Sequence, residues 1–144
     1  MNACAFCSDK NIRAREITRN KFARAFPSRL PVVPMHVLIT PLRHVVTFDR
    51  LKREEIVAIF ELAKKLKTTL SRSFGAKGFN IAWNDGSVAG QRVPHFHLHL
   101  LPRRKGDGGV TKYNPRKFLY RPGSRARTPE IELRAVAADV RRAL

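Results

Sequence analysis

The chain has 144 residues, of which 43% are hydrophobic, and its 29 Lys and Arg residues exceed its 11 Asp and Glu residues to give a formal net charge of +18. This length and hydrophobic content predict a single folded domain over residues 1–144 and exclude a disordered basic tail. No apolar run reaches the roughly 20 residues that cross a bilayer, and residues 1–7 lack the apolar stretch of a signal peptide. We therefore expect a cytoplasmic protein with no membrane partner.

The excess of positive charge favours anionic partners. A field of this sign attracts nucleotides, polyphosphates or nucleic acid. A solvated basic surface without a specific partner explains the charge equally well. Charge alone therefore selects a class of partner and nothing finer.

The two cysteines of the sequence form the motif Cys4-Ala5-Phe6-Cys7. In a reducing compartment this spacing indicates a metal-binding knuckle or a redox pair. A thioredoxin-like pair requires a βαβ context, which the N-terminal sequence does not provide. Zinc takes about four ligands, so a zinc site would need two more ligands from elsewhere in the chain.

The sequence after the cysteines predicts three strands and then a long helix. Residues 12–19 and 21–26 have the composition of two short strands, and residues 36–40 predict a third that begins at His36. Between about Leu51 and Phe74 the apolar residues recur at helical spacing, with Gly75 as the stop. The apolar stripe of this helix consists of Ile56, Ile59, Phe60, Ala63, Leu66, Leu70 and Phe74.

A second pair of strands carries the most informative motif. Residues 79–84 predict a strand, and a glycine-containing loop over residues 85–91 leads into Pro94-His95-Phe96-His97-Leu98-His99-Leu100-Leu101. Strict alternation is the strand period, so the three histidines project from one face and the apolar residues from the other. Buried imidazoles need polar partners, so this array indicates a site for an anionic group, a metal or both.

The remaining sequence predicts a basic arm and a final helix. Residues 102–127 form a loop-rich segment whose basic side chains are Arg103, Arg104, Lys105, Lys112, Arg116, Lys117, Arg121, Arg125 and Arg127. The sequence Thr128-Pro129-Glu130 predicts a helix with Thr128 as its N-cap and Pro129 at its first position. We expect this helix to run to about Arg142.

Two stretches together resemble the histidine triad (HIT) superfamily. The first runs from Asn84-Asp85-Gly86 through Gln91 to His95–Arg103, and the second, Pro31–Arg43, is similar to a strand of the fragile histidine triad branch. The resemblance covers about residues 4–105 and leaves the basic arm and last helix, 106–144, largely outside. It implies an α+β fold with an antiparallel sheet of about five strands, one long helix and a C-terminal helix. It also implies a homodimer that extends the sheet.

The resemblance implies an activity as well. HIT proteins cleave or transfer a nucleoside monophosphate, here expected to be AMP, from phosphoanhydride or phosphoramidate bonds. The family nucleophile corresponds to His97, which would form a nucleotidyl-histidine. His99 corresponds to a histidine that meets the phosphate oxygens or the leaving group, His36 to a supporting histidine, and Gln91 to a glutamine near the leaving-group oxygen.

Other positions correspond to the nucleotide-binding residues of the family. Asn84 matches a polar residue on the phosphate side, and Phe26 matches an apolar residue that packs against the base. The loop that contains Gly90 permits a close approach of backbone amides to a ligand.

Three positions depart from the family pattern. Ser28 occupies the place of an Asp or Asn that holds the ribose hydroxyls, and Met35 replaces a glycine before His36. Arg92 replaces a small hydroxyl residue, and we expect it to contact additional phosphates or to point to solvent. These departures leave the identity of the substrate open.

Members with an N-terminal Cys-x-x-Cys resemble zinc proteins with four ligands. The corresponding residues here are Cys4, Cys7, His44 and His95. The resemblance therefore implies a closed Cys₂His₂ site, in which zinc is structural and tethers the N-terminus beside the strand of His97.

Three alternatives to such a hydrolase remain. The aprataxin branch of the family removes adenylate from nucleic-acid ends, which the basic arm and Arg92 favour. A non-catalytic nucleotide-binding interaction protein would bind AMP without turnover. A nucleic-acid-binding module would show salt-dependent binding that survives loss of His97.

Overall fold

The computed structural model describes residues 3–107 and 127–144. Its antiparallel sheet has the order β1-β2-β3-β5-β4, with strands β1 (Thr18–Arg19), β2 (Ala23–Pro27), β3 (Val37–Pro41), β4 (Gly78–Ala82) and β5 (Leu98–Arg103). The helices are α1 (Ala5–Ser8), α2 (Lys10–Ala14), α3 (Arg53–Phe74) and α4 (Glu130–Ala143), with 3₁₀ turns at Phe48–Arg50 and Ser87–Ala89. The predicted α+β architecture, with a five-stranded antiparallel sheet, a long helix and a C-terminal helix, is confirmed.

The N-terminal strand prediction is wrong over its first half. Lys10–Ala14 is a helix, because the Asp9 carboxylate accepts a hydrogen bond from the Asn11 N–H at 2.9 Å and caps it. Only Thr18–Arg19 pairs with β2. The segment after the cysteines is therefore one short helix, Lys10–Ala14, that leads into the sheet.

The histidine strand begins later than the alternation predicts. β5 starts at Leu98, so only His99 of the three histidines pairs in the ladder, opposite Leu38 and Ala82. The alternation of faces nevertheless holds, since Phe96, Leu98 and Leu100 enter the main core, whereas His97 and His99 line a cavity on the other side. The backbone just before Leu98 lies outside the sheet, and its N–H groups donate hydrogen bonds to loop carbonyls instead of to a neighbouring strand.

Helix α3 crosses the sheet and supplies much of the core, as predicted. Glu55 accepts a hydrogen bond from the Lys52 N–H at 2.8 Å near the helix start, and Gly75 ends the helix with φ of 70°. The buried residues include Ile59, Leu66 and Leu70, each 0% exposed, and the helix packs on β2, β3 and β5. The predicted stripe is wrong at Phe60, which is 43% exposed.

Helix α4 begins at Glu130, with Pro129 rather than Thr128 at the N-cap position. The Thr128 N–H donates to the Arg29 carbonyl at 2.8 Å, so this residue ties the helix to the segment after β2. The basic arm predicted at 102–127 lies mostly outside the described residues. Within the described ranges, no helix combines the length and apolar character that a bilayer crossing requires.

Candidate active site and metal-binding cluster

A cavity of about 150 Å³ lies beside the start of β5. It is lined by eight of the nine residues that the resemblance associates with catalysis or nucleotide binding, namely Phe26, Ser28, His36, Asn84, Gly90, Arg92, His97 and His99. These residues come from four separate stretches of the chain. The sheet and its connecting loops therefore bring the predicted site together.

The bonds of His97 fix the position of its ring proton. Its Nδ1 lies 2.7 Å from the His95 carbonyl oxygen, which can only accept, so Nδ1 carries the proton and donates. In the neutral ring, Nε2 then has a free lone pair. Burial lowers the pKa of His97, against the smaller opposing effect of this hydrogen bond, and so favours the neutral ring. A neutral imidazole with Nε2 unprotonated is a competent nucleophile.

A chain of hydrogen bonds fixes His99 in the opposite tautomer. The Val32 N–H donates to His36 Nδ1 at 3.1 Å, so the proton of neutral His36 lies on Nε2. His36 Nε2 lies 2.9 Å from His99 Nδ1 and donates to it. The proton of neutral His99 is consequently on Nε2, where it can be donated to a phosphate oxygen or a leaving group. The rings of His97 and His99 are 5.0 Å apart between centroids.

The loop before the histidines uses its polar side chains to hold its own shape. Asn84 Nδ2 donates to the Gly90 carbonyl at 3.2 Å, and Gly90 has φ of 92°, where a side chain would be strained. Gln91 donates from Nε2 to the Val46 carbonyl at 2.7 Å and accepts from the Gly86 N–H at 2.8 Å. Gln91 does not line the cavity, so in this structure its amide bridges two loops.

Met35 explains why the family pattern has glycine before His36. Its φ of 64° is in the left-handed region, and it is the non-glycine residue with positive φ among residues 3–107 and 127–144. That conformation costs an L-residue about 1–2 kcal/mol, which glycine avoids. Packing of the Met35 side chain against the core offsets part of this strain.

The four predicted metal ligands also come together. Cys4, Cys7, His44 and His95 each present one ligand atom, and these atoms all lie within 4.8 Å of one another. His95 Nε2 donates to the Pro41 carbonyl at 3.0 Å, so its Nδ1 lone pair faces the cysteines. Burial lowers the pKa of His95 to about 4, which keeps this ring neutral as a metal ligand requires.

The spacing of this cluster fits a tetrahedral ion. His95 Nδ1 lies 3.4 Å from Cys4 Sγ and 3.5 Å from Cys7 Sγ, and His44 Nδ1 lies 3.6 Å from Cys7 Sγ. A tetrahedral zinc with normal Zn–S and Zn–N bonds places sulfur and nitrogen about 3.6 Å apart. Two sulfurs and two nitrogens at this spacing match the donor set and geometry of zinc.

Phe6 connects the cysteine motif to the cavity. It lies between Cys4 and Cys7 in sequence, is 8% exposed and lines the cavity. Its ring centroid lies 5.2 Å from that of His97, at 88°, and 5.3 Å from that of Phe26. The residue that separates the two candidate metal ligands therefore packs directly on the candidate nucleophile.

Sequence reasoning missed Phe6 and a group of arginines that also line the cavity. Arg15, Arg29 and Arg127 face the cavity together with Arg92. Phe6 could have been found from the cysteine spacing, because a short knuckle must turn one side chain inward. Arg15 fell within a segment predicted as a strand, and its partner Glu130 is 115 residues away, so no local pattern marks it.

Comparison with known proteins places this geometry in a family. The HIT domain profile matches residues 9–106. An uncharacterized HIT-like protein of Mycoplasma genitalium is 36% identical over 123 residues, 81% of this chain and 87% of that protein. The asymmetrical bis(5'-nucleosyl)-tetraphosphatase of Schizosaccharomyces pombe is 38% identical over 89 residues, 62% of this chain and 49% of that protein.

A solved structure shows the same fold. The Zn-bound histidine triad family protein of Mycobacterium smegmatis superimposes with a TM-score of 0.69 at 26% identity, over 99% of this chain and 98% of that one. The profile match covers more than half of the sequence and contains the three histidines. The chain belongs to the HIT family.

Proposed function

We propose that the protein is a nucleotidyl hydrolase or transferase that cleaves a nucleoside monophosphate from a phosphoanhydride or phosphoramidate. The observation that supports this most strongly is the pair of opposite tautomers in adjacent rings. His97 presents a lone pair on Nε2, and His99 presents a proton on Nε2. A nucleophile beside a hydrogen-bond donor that can stabilise the charge on the leaving group suits a two-step displacement at phosphorus.

In the first step, His97 Nε2 attacks the α-phosphorus and forms an N–P bond. The bond from phosphorus to the leaving oxygen or nitrogen breaks, and its electron pair departs with the leaving group, which accepts a hydrogen bond from His99 Nε2–H and takes any proton it needs from water. In the second step a water attacks the same phosphorus and releases a proton to solvent. The N–P bond breaks, its electrons return to His97, and the nucleoside monophosphate is released.

Other residues of the cavity support this reaction. His36 keeps the His99 proton on Nε2 by donating to Nδ1 at 2.9 Å. Arg92 is exposed at the cavity and supplies positive charge where the phosphates would lie. For Gln91 we retain the role implied by the resemblance, near the leaving-group oxygen, beside the loop contacts that it makes in this structure.

We also propose that Cys4, Cys7, His44 and His95 hold a structural zinc ion. With four protein ligands the ion has no open position for a substrate, so when bound it supplies a crosslink rather than reaction chemistry. Helix α1 has only four residues and lacks a side-chain cap, so it is too short to be stable by itself. The crosslink would keep Phe6 against His97.

The arginines of the cavity favour a leaving group that carries phosphate. Arg29 and Arg127 line the cavity in addition to Arg92. Dinucleoside polyphosphates and 5'-adenylated nucleic acids both have such leaving groups, so deadenylation of nucleic-acid ends is the second candidate. Binding of nucleic acid by the basic arm stays a prediction, since most of that arm lies outside the described residues.

Turnover of a small panel separates these functions. We would supply an adenosine phosphoramidate, a diadenosine polyphosphate, their guanosine counterparts and a 5'-adenylated DNA, and follow release of the nucleoside monophosphate. Wild type should act on at least one class, and His97→Asn should be inactive on all of them. If the wild type binds nucleotide but releases nothing from any substrate, the protein is a non-catalytic nucleotide-binding protein instead.

The homodimer also stays a proposal, and the edge of the sheet supports it. β4 is an edge strand, and Ile81 on it is 45% exposed. Pairing of two β4 edges would extend the sheet and cover this side chain. Light scattering after size-exclusion chromatography should give twice the mass of the chain for wild type and a lower mass for Ile81→Lys; a wild-type monomer would contradict it.

A further inference from the structure

Arg15 is a buried cation in the wall of the cavity, and the proposed reaction does not use it. The residue is 2% exposed and lines the cavity. Its Cζ lies 5.8 Å from the centroid of the Phe26 ring, and Phe26 packs with Phe6 and Leu38 in one apolar cluster. Arg15 therefore belongs to the apolar wall, where a base would pack, rather than to the histidines.

Glu130, the first residue of α4, holds the guanidinium by one edge. Arg15 Nη1 donates to Glu130 Oε1 at 2.5 Å. The other edge carries Nε–H and Nη2–H, and both Arg15 Nε and Glu130 Oε2 are buried without a hydrogen-bond partner among residues 3–107 and 127–144. A buried donor without a partner is unfavourable, so a ligand that places acceptors there gains affinity.

Glu130 also determines which acceptors suit this edge. A phosphate at Arg15 would approach the Glu130 carboxylate and be repelled by it, and the α-phosphate is required beside His97. A neutral acceptor edge has no such conflict. The edge of a nucleobase that packs on Phe26 and Phe6 meets both conditions.

We propose that Arg15 reads the base of the substrate and selects a 6-oxopurine, guanine or hypoxanthine. This inference rests on the proposed function and specifies its substrate. Both bases present O6 and N7 as adjacent acceptors that match a guanidinium edge, whereas adenine presents one acceptor and the N6 amino donor. The resemblance alone implies AMP, but Glu130 lies outside the residues that the HIT profile matches.

Calorimetric titration of the full chain with GMP, IMP, AMP and 7-deaza-GMP tests this assignment. GMP and IMP should bind roughly tenfold or more tightly than AMP, as for other bidentate arginine contacts to guanine. The analogue 7-deaza-GMP lacks the N7 acceptor and should bind severalfold more weakly than GMP. This comparison needs no variant and so does not depend on how well one folds.

Two variants assign the preference to Arg15. Arg15→Lys keeps a cation beside Glu130 but removes the two adjacent donors, so the ratio of GMP to AMP affinity should fall close to one. Arg29→Lys, the same substitution at another cavity arginine, should change the affinity for both nucleotides by the same factor and leave the ratio unchanged. Thermal melts verify that each variant is folded.

The outcomes separate this inference from the function on which it rests. If AMP binds wild type as tightly as GMP, if 7-deaza-GMP binds as well as GMP, or if Arg15→Lys retains the wild-type ratio, the inference is overturned and the nucleotidyl hydrolase stands. If none of the four nucleotides binds, the proposed function itself fails.

Discussion

His95 and His97 are two residues apart, are both buried, and bond to backbone carbonyls through opposite ring nitrogens. His95 donates from Nε2 to Pro41, which leaves Nδ1 for the cysteines, and His97 donates from Nδ1 to His95, which leaves Nε2 for the cavity. A carbonyl acceptor thus determines which nitrogen keeps its lone pair. The same side chain becomes a candidate metal ligand in one place and a candidate nucleophile in the other.

The role of each histidine therefore depends less on its position in the motif than on which backbone carbonyl accepts the hydrogen bond from its ring. The two regions are nevertheless joined, because the His95 carbonyl accepts the hydrogen bond from His97 Nδ1–H and Phe6 contacts both rings, at centroid distances of 5.8 and 5.2 Å. A change in the metal cluster should therefore reach the nucleophile through backbone and packing.

Loss of the nucleophile gives the largest expected effect. His97→Asn should lower kcat by about a thousandfold or more, because the covalent route disappears. Metal content measured by plasma mass spectrometry should stay at the wild-type value, since His97 is not a ligand. A variant that also loses its metal would mean that the two histidines do not have separate roles.

Removal of the metal should act mainly on stability. If zinc binds only the folded chain, its loss should lower the free energy of unfolding by about 4 kcal/mol at free zinc a thousandfold above its dissociation constant. Chelation or Cys4→Ser should therefore lower Tm, and added zinc should restore Tm after chelation.

The nucleotide site should respond to the same treatment, since α1 would no longer hold Phe6 against His97. The affinity for GMP should fall severalfold after chelation, and Phe6→Ala should show the weaker affinity with metal still bound. Equal Tm values with and without chelator would contradict the structural metal.

Loss of the hydrogen bond from His36 to His99 should give the next largest effect on kcat. His36→Ala removes the donor that fixes the His99 tautomer, so kcat should fall by about a hundredfold, the lower end of what loss of an oriented hydrogen-bond donor costs. His36→Gln can still donate from its amide and should retain more activity. Full activity in His36→Ala would show that His99 does not depend on this hydrogen bond.

The smallest expected effect is a change in Tm on substitution of Glu55, which lies away from both His95 and His97. The Arg43 guanidinium, hydrogen-bonded to this buried carboxylate at 2.7 and 2.9 Å, lowers the pKa of Glu55. A lowered folded-state pKa contributes stability above the unfolded value and loses it as pH falls through the folded value. Glu55→Gln should therefore lower Tm at pH 7, and the difference from wild type should shrink as pH falls below the usual carboxyl range.

Glu55→Gln is also the control for general destabilisation. Its metal content and its kcat should match those of wild type. A loss of metal in this variant would show that the cluster responds to stability in general and that the effect of chelation is not specific.

Much of the fold was predictable because periodicity reports burial directly. The alternation around Leu98 and the helical spacing from Ile59 to Leu70 predicted β5 and α3. The first strand was wrong because a single Asp9 cap converts the following residues to a helix, a local contact that composition does not reveal. The start of β5 was placed too early because the backbone N–H groups of His95 and Phe96 donate to the carbonyls of Val93 and Val45 rather than to a neighbouring strand.

The site residues that lie in one contiguous stretch of sequence could be predicted. The contacts between residues that are distant in sequence could not. The histidines, Asn84 and Gly90 lie in one stretch that resembles a known motif. The tautomers depend on carbonyls of Pro41 and His95, whose positions only the fold determines. The Arg15–Glu130 pair joins residues on two elements distant in sequence, so no spacing rule could indicate it.

Nitrogen-15 NMR of the five histidine side chains tests the contrast between the two imidazoles most directly. Two-bond couplings between ring protons and nitrogens identify the protonated nitrogen of each ring. For the zinc-loaded protein at neutral pH we predict His97 with its proton on Nδ1 and Nε2 unprotonated, and His95 with its proton on Nε2 and Nδ1 bound to the metal. A proton on Nε2 of His97, or on Nδ1 of His95, would contradict the account.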